Sequence, residues 1–105
     1  MRESKIEREL VERVKQAGGM AYKLVSPGNN GMPDRLVIFP DQSPIFVELK
    51  TEKGVLSRMQ KRQIKRLVDL GQDVDVICGI DELSQFFQDA GFTEISKAID
   101  CKYDL

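Results

Sequence analysis

The sequence has no histidine, only two cysteines, and no long apolar run among its 105 residues. Without histidine there is no Ser-His-Asp or Cys-His nucleophile system, no His-ligated zinc and no histidine base. Cys78 and Cys101 stand apart, without metal-ligand spacing. Cys78 lies in an apolar run and reads as a small buried residue, and a disulfide between the two need not be invoked. No stretch approaches the ~18 apolar residues of a membrane span. The charged segment Met1–Lys5 does not read as a signal peptide. The expectation is a reduced, cytosolic protein that binds no membrane.

Net charge is also scarce, at −1, so the global balance announces no nucleic-acid partner. The local balance differs. Lys50, Lys53, Arg58, Lys61, Arg62, Lys65 and Arg66 face a single acid, Glu52, between positions 50 and 66, whereas acids dominate from Asp81 to the end. At this length the chain is one domain, 1–105, with one core.

Ile6, Leu10, Val14 and Ala17, widened by Val11, predict a helix over 4–17 that stops at Gly18-Gly19. Strands follow at 20–25, 34–39 and 45–50, with a Pro/Gly/Asn-rich loop at 26–33 and a turn at 40–43. Ser57 and Gln60 have capping-box spacing and start a helix that runs to about Leu70. Its inward stripe reads Gln60, Ile64, Leu67, Val68 and Gly71. A fourth strand over 74–78 is nearly continuously apolar, which predicts cover on both faces. Asp81 is expected to cap a short helix carrying Leu83, Phe86, Phe87 and Ala90, and 93–102 to form a last one. The fold class is α/β, a mixed four-stranded sheet flanked by helices in the order α-β-β-β-α-β-α, with 93–105 as an added helix or tail.

Within Ile45–Lys50, Ile45, Val47 and Leu49 point to one face and Phe46, Glu48 and Lys50 to the other. If the neighbouring strand pairs with it, Asp34 sits beside Glu48. Two carboxylates and a lysine around one point suit a hard cation and a phosphate. Taken singly, Asp34 after proline is more often a turn residue, and a Glu-x-Lys pair more often a solvated edge. Together on a central strand they need partners, and Glu7, on the shoulder of the first helix's buried face, is one candidate. Gln60 lies on an inward stripe, where its amide either caps the helix or bonds a buried carboxylate or water. The basic residues Arg58, Lys61, Arg62 and Lys65 form either a solvated helix face or a polyphosphate-binding surface. The loop with Ser26, Asn29 and Asn30 is either a mobile tip or a phosphate contact.

Ser4-x-x-Glu7, Ser26-Pro27-Gly28 with Gly31-Met32-Pro33-Asp34-Arg35, Glu48-Leu49-Lys50 and Leu56-Ser57-x-x-Gln60 occur in this order. With them the chain resembles the PD-(D/E)xK nuclease superfamily, within it the VRR-NUC (virus-type replication-repair nuclease) domain, and it is similar to Holliday-junction resolvases. The resemblance covers Ser4 to about Phe87. It implies that Glu7, Asp34 and Glu48, with the Leu49 carbonyl, bind Mg²⁺ or Mn²⁺, that Lys50 orients the attacking water, and that Gln60 supports the site. Lys23, Ser26, Asn29, Asn30, Arg35, Lys53, Arg58, Lys61, Arg62 and Lys65 are the DNA-contact candidates. The expected function is a structure-specific DNA endonuclease, by analogy acting on branched DNA such as four-way junctions. A non-catalytic DNA-binding module and a restriction-type duplex endonuclease are the alternatives. Paired cuts on a two-fold junction suggest a homodimer, with Phe86, Phe87, Ile95, Ile99 and Tyr103 as interface candidates and core packing the equal alternative for the two Phe.

Overall fold

The structure, a computed structural model, describes residues 1–105. The elements run α1 (Glu3–Gln16), β1 (Met20–Lys23), β2 (Arg35–Ile38), β3 (Ile45–Lys50), α2 (Arg58–Asp69), β4 (Asp73–Cys78), α3 (Ile80–Asp89) and α4 (Thr93–Tyr103). The sheet order is β1-β2-β3-β4. The first three strands are antiparallel neighbours, and β4 lies parallel to β3 after the crossover through α2. This is the expected mixed four-stranded α/β architecture, with β3 inside the sheet. No helix is long and apolar enough to cross a membrane.

One face of the sheet carries the core. Ala21, Val37, Val47, Leu49 and Ile77 lie under α1 and α3, where Ile6, Leu10, Val14, Leu83 and Phe87 close the apolar layer. Alternation explains the choice: these strand residues share one face, and the register aligns Ala21 with Val37 and Leu49 with Ile77. Phe39 at the end of β2 sits among Phe86, Phe87 and Phe92, its ring 4.8 Å from that of Phe92. α4 packs on α3, and buried Ser84 bonds Ser96 and Asp100 across that junction.

Four expectations need correction. Phe86, Phe87 and Ile99 are buried, with Ile95 and Tyr103 packed against them, so the last two helices spend their apolar faces on the core and offer a partner little. β4 is not covered on both faces. It is an edge strand, and only Ile77 within it is buried. The apolar run at its end was too short to distinguish two-sided cover from one. Asp81 is not a cap: Gly79 holds that position, and Asp81 lies in the first turn of α3. On α2 the inward residues are Gln60, Gln63, Ile64 and Leu67, while Val68 is exposed, because the helix turns its amide-bearing side toward the sheet.

The second buried acid of the molecule belongs to this scaffold. Glu9 on α1 is shielded from water and bound by Arg13 (3.3 Å), by Lys102 (2.6 Å) and by the Tyr103 hydroxyl. It ties the end of α4 to α1. Burial by itself raises its pKa, but the hydrogen bonds from Lys102 and Tyr103 and the charges of Lys102 and Arg13 outweigh that and hold the carboxyl below its ordinary value.

Candidate metal centre

The site forms on the opposite face of β3. Alternation that sends Val47 and Leu49 into the core turns Glu48 and Lys50 the other way. Asp34 precedes β2 and follows the buried Pro33, and its carboxylate accepts the Leu49 N–H at 2.8 Å. That bond fixes Asp34 beside Glu48. From the start of α1, Glu3 reaches the same point. One carboxylate oxygen from each of Glu3, Asp34 and Glu48 lies within 4.8 Å of the others.

Glu48 is 1% exposed. Its Oε2 accepts a hydrogen bond from the Gln60 amide at 3.0 Å and faces the Lys50 ammonium at 3.8 Å. Its Oε1 is buried and has no partner. Such an oxygen is costly to desolvate, and the neighbouring acids add repulsion. Burial first, then the charge of Asp34, push the Glu48 pKa up to about 7; Lys50 offsets part of this. A divalent cation held among the three acids would answer the missing bond and the repulsion together. Hard carboxylate donors are the set that Mg²⁺ and Mn²⁺ prefer.

Gln60 performs both tasks considered for it. Its amide oxygen accepts the Ser57 N–H at 2.8 Å, and Ser57 Oγ accepts the Gln60 N–H at 3.1 Å, completing the capping box. Its amide nitrogen binds Glu48. A glutamate would cap as well, but would set a further negative charge against Glu48. Glutamine is the residue that satisfies both neighbours.

Glu7 is not part of the cluster. Its carboxylate pairs with Arg35 Nε at 3.0 Å, on the α1 side of the sheet, and Arg35 also donates to the Ala21 carbonyl at 3.1 Å. Arg35, a DNA-contact candidate, is thus half-buried and engaged by Glu7 and the Ala21 carbonyl. Glu3, one helical turn earlier, takes the place expected for Glu7. Sequence reasoning missed it because the expected helix began at Ser4, although Glu3 continues the stripe of Ile6, Leu10 and Val14 by one turn. The available signal was its position as the acid of the first turn, from which a side chain can reach past the end of the sheet.

Of the remaining candidates, Arg58, Lys61 and Arg62 are exposed on α2 and make no ion pair, whereas Lys65 is paired with Asp69 at 2.8 Å. Lys53 is exposed in the turn after β3, and Lys23 at the end of β1. In the loop, Asn29 donates to Ser26 Oγ at 2.9 Å, and the Asn30 carbonyl accepts from Gln63 on α2 at 3.3 Å. The loop therefore joins α2 beside the acids.

Comparison with known proteins gives the family. Residues 2–80 match the VRR-NUC domain. The chain belongs to the VRR-NUC family. A protein of Acyrthosiphon pisum secondary endosymbiont phage 1, named "Putative nuclease p44", is 47% identical over 77 residues, covering 73% of this chain and 83% of the relative. A solved structure described as a VRR-NUC domain superposes with a TM-score of 0.70 at 29% identity, over 93% of this chain and 94% of that one. Family and relative support a nuclease. Within the VRR-NUC region lie all three clustered acids, Lys50 and Gln60, while α4 falls outside it.

Proposed function

We propose that this VRR-NUC protein is a divalent-metal-dependent endonuclease that hydrolyses phosphodiester bonds in DNA, with branched DNA such as a four-way junction as its substrate. The observation that carries the reading is the partnerless, buried Glu48 Oε1 beside Asp34 and Glu3. Glu3, Asp34 and Glu48 hold Mg²⁺ or Mn²⁺, with the Leu49 carbonyl as a further ligand by resemblance to the family. Bound there, the ion supplies an acidified water and neutralises charge on the scissile phosphate.

The other roles fall to the chain's own groups. Lys50, tied to Glu48, orients the attacking water and stabilises negative charge on the phosphate oxygens. Gln60 keeps Glu48 in place. Arg58, Lys61 and Arg62, with Lys53 and the Ser26–Asn30 loop, contact the DNA backbone on either side of the cut. A homodimer suits paired cuts on a two-fold junction. Its surface is sought at exposed Met20, Tyr22 and Ile38 on the sheet, since the last helices are used within the protomer.

The test is one assay. Labelled four-way junction and linear duplex are incubated with the protein, with and without Mg²⁺ or Mn²⁺. Metal-dependent cleavage of the junction in preference to the duplex is expected, and Asp34→Asn or Lys50→Ala should lower the rate by at least about 10³-fold while folding and junction binding persist. Wild-type rates in purified Asp34→Asn refute the mechanism. Binding without cutting under every metal tried identifies a non-catalytic module, and discrete cuts in plain duplex a restriction-type enzyme.

A further inference from the structure

α2 has a single buried residue, and it is polar. Gln63 is 7% exposed, while apolar Val68 and Leu70 of the same segment are 53% and 74% exposed. Burying an amide where a leucine would fit is unfavourable unless the amide bonds something specific. Gln63 does: its amide nitrogen donates to the Asn30 carbonyl at 3.3 Å, across 33 residues of sequence. At the next residue the loop backbone meets the helix backbone. Gly31 has φ +85°, and a Cβ there would stand 2.5 Å from the Met59 carbonyl carbon and 2.8 Å from the Gln60 nitrogen. Only glycine permits both the conformation and the approach.

The first turns of α2 thus hold two things at once. Gln60 grips the Glu48 carboxylate, and Gln63, three residues on, grips the loop. The unpaired cations Arg58, Lys61 and Arg62 lie on the exposed side of those same turns. Loop and basic helix face are therefore two walls of one surface whose relative position is set by the close approach of Gly31 to Met59 and by the Gln63–Asn30 bond.

We infer that Gln63 is a positioning residue for the DNA. It acts through the Ser26–Asn30 loop, fixing the loop against α2 so that both meet the same phosphate backbone at the distance that delivers the scissile bond to the acids. This rests on the nuclease reading above. Its own consequence is specific: Gln63 governs substrate affinity and leaves the metal and the chemical step alone.

The experiment compares Gln63→Met, which keeps the shape and removes the donor, Gln63→Glu, which sets an acceptor against the Asn30 carbonyl, and Gln63→Lys, which restores a donor. DNA affinity is read by fluorescence anisotropy with four-way junction in EDTA, so no cleavage is needed. KM and kcat are read with Mn²⁺, Mn²⁺ affinity by calorimetry, and folding by thermal melting. Affinity should fall about fivefold to tenfold for Gln63→Met, further for Gln63→Glu, and recover in part with Gln63→Lys. KM should rise in parallel, with kcat and Mn²⁺ affinity within about twofold of wild type. Unchanged affinity in folded Gln63→Met and Gln63→Glu overturns the inference, as does a loss of kcat with KM unmoved. If wild type binds DNA but does not cut it, the nuclease reading fails and the anisotropy series still decides the role of Gln63. If it does not bind DNA, both fall.

Discussion

Glu9 and Glu48 are both buried glutamates, at 3% and 1% exposure, and they have opposite surroundings. Glu9 is enclosed by three donors, two of them cationic, and its pKa is lowered. Glu48 has one amide, one more distant ammonium, two acids for neighbours and an oxygen with no partner, and its pKa is raised. A buried charge that the fold has fully answered is structural. One that the fold has left unanswered is held for something the chain does not itself contain. Depth of burial does not separate the two cases; the count and sign of the partners does.

The sharpest way to break this contrast is to neutralise each acid. Glu48→Gln should reduce cleavage by at least about 10³-fold, whereas Glu9→Gln should leave cleavage per folded molecule within a few-fold of wild type. Metal-free stability should move in opposite directions. Glu9→Gln strands Lys102 and the Tyr103 hydroxyl and should cost about 1–3 kcal/mol, with partly exposed Lys102 limiting the loss. Glu48→Gln removes repulsion and should be neutral or stabilising by up to about 2 kcal/mol. Urea unfolding in EDTA reads both. If Glu48→Gln proves the more destabilising, Glu48 is a structural residue after all.

A finer probe separates Glu3 from Glu7. Calorimetric Mn²⁺ affinity should fall about tenfold or more in Glu3→Gln, which loses a carboxylate from the cluster. In Glu7→Gln it should stay within about twofold, because that side chain answers Arg35 instead. Equal losses would place both acids at the ion.

The smallest effect is on pH. Glu48 has a folded pKa of about 7 against 4.5 for an ordinary glutamate, so the metal-free native state holds more protons than the unfolded chain between those values. Stability therefore falls as pH rises through that window, by about 1–2 kcal/mol after allowance for solvent relaxation. Saturating Mn²⁺ should accordingly raise Tm more at pH 8 than at pH 5. Glu9 has the reverse sign: with its folded pKa lowered, its contribution is present above about pH 4.5 and is lost in more acid solution. Thermal melts of wild type and Glu48→Gln across this range should converge at the acid end. A wild-type melt that rises steadily from pH 5 to 8 in EDTA would contradict the assignment.

Local pattern made much of this legible. The period-two alternation of Ile45–Lys50 shows which side of β3 Glu48 takes, and Ser57 with Gln60 marks the start of α2 correctly. Pairing of Asp34 with Glu48 followed from a short hairpin turn. Features that depend on docking were not legible. Choosing between Glu3 and Glu7 requires knowing that Arg35, on the strand beneath α1, pairs with Glu7, which no helical period encodes. The apolar faces of α3 and α4 look alike whether they meet each other or a second molecule; Phe39 and Phe92 decide it. Gln63 was passed over because a glutamine on a charged helix resembles surface, and only the approach of Gly31 to Met59 makes its position interior.

The outer position of β4 also bears on solubility. Its free rim has spare backbone donors and acceptors, an invitation to strand addition from a neighbouring molecule. Asp73 and Asp75 interrupt that rim, and Asp75 is already strained toward protonation by burial and by the charges of Asp89 and Asp73. Any strand arriving there must dehydrate acids that already repel one another, so this edge of the sheet carries its own barrier to growing into a fibre.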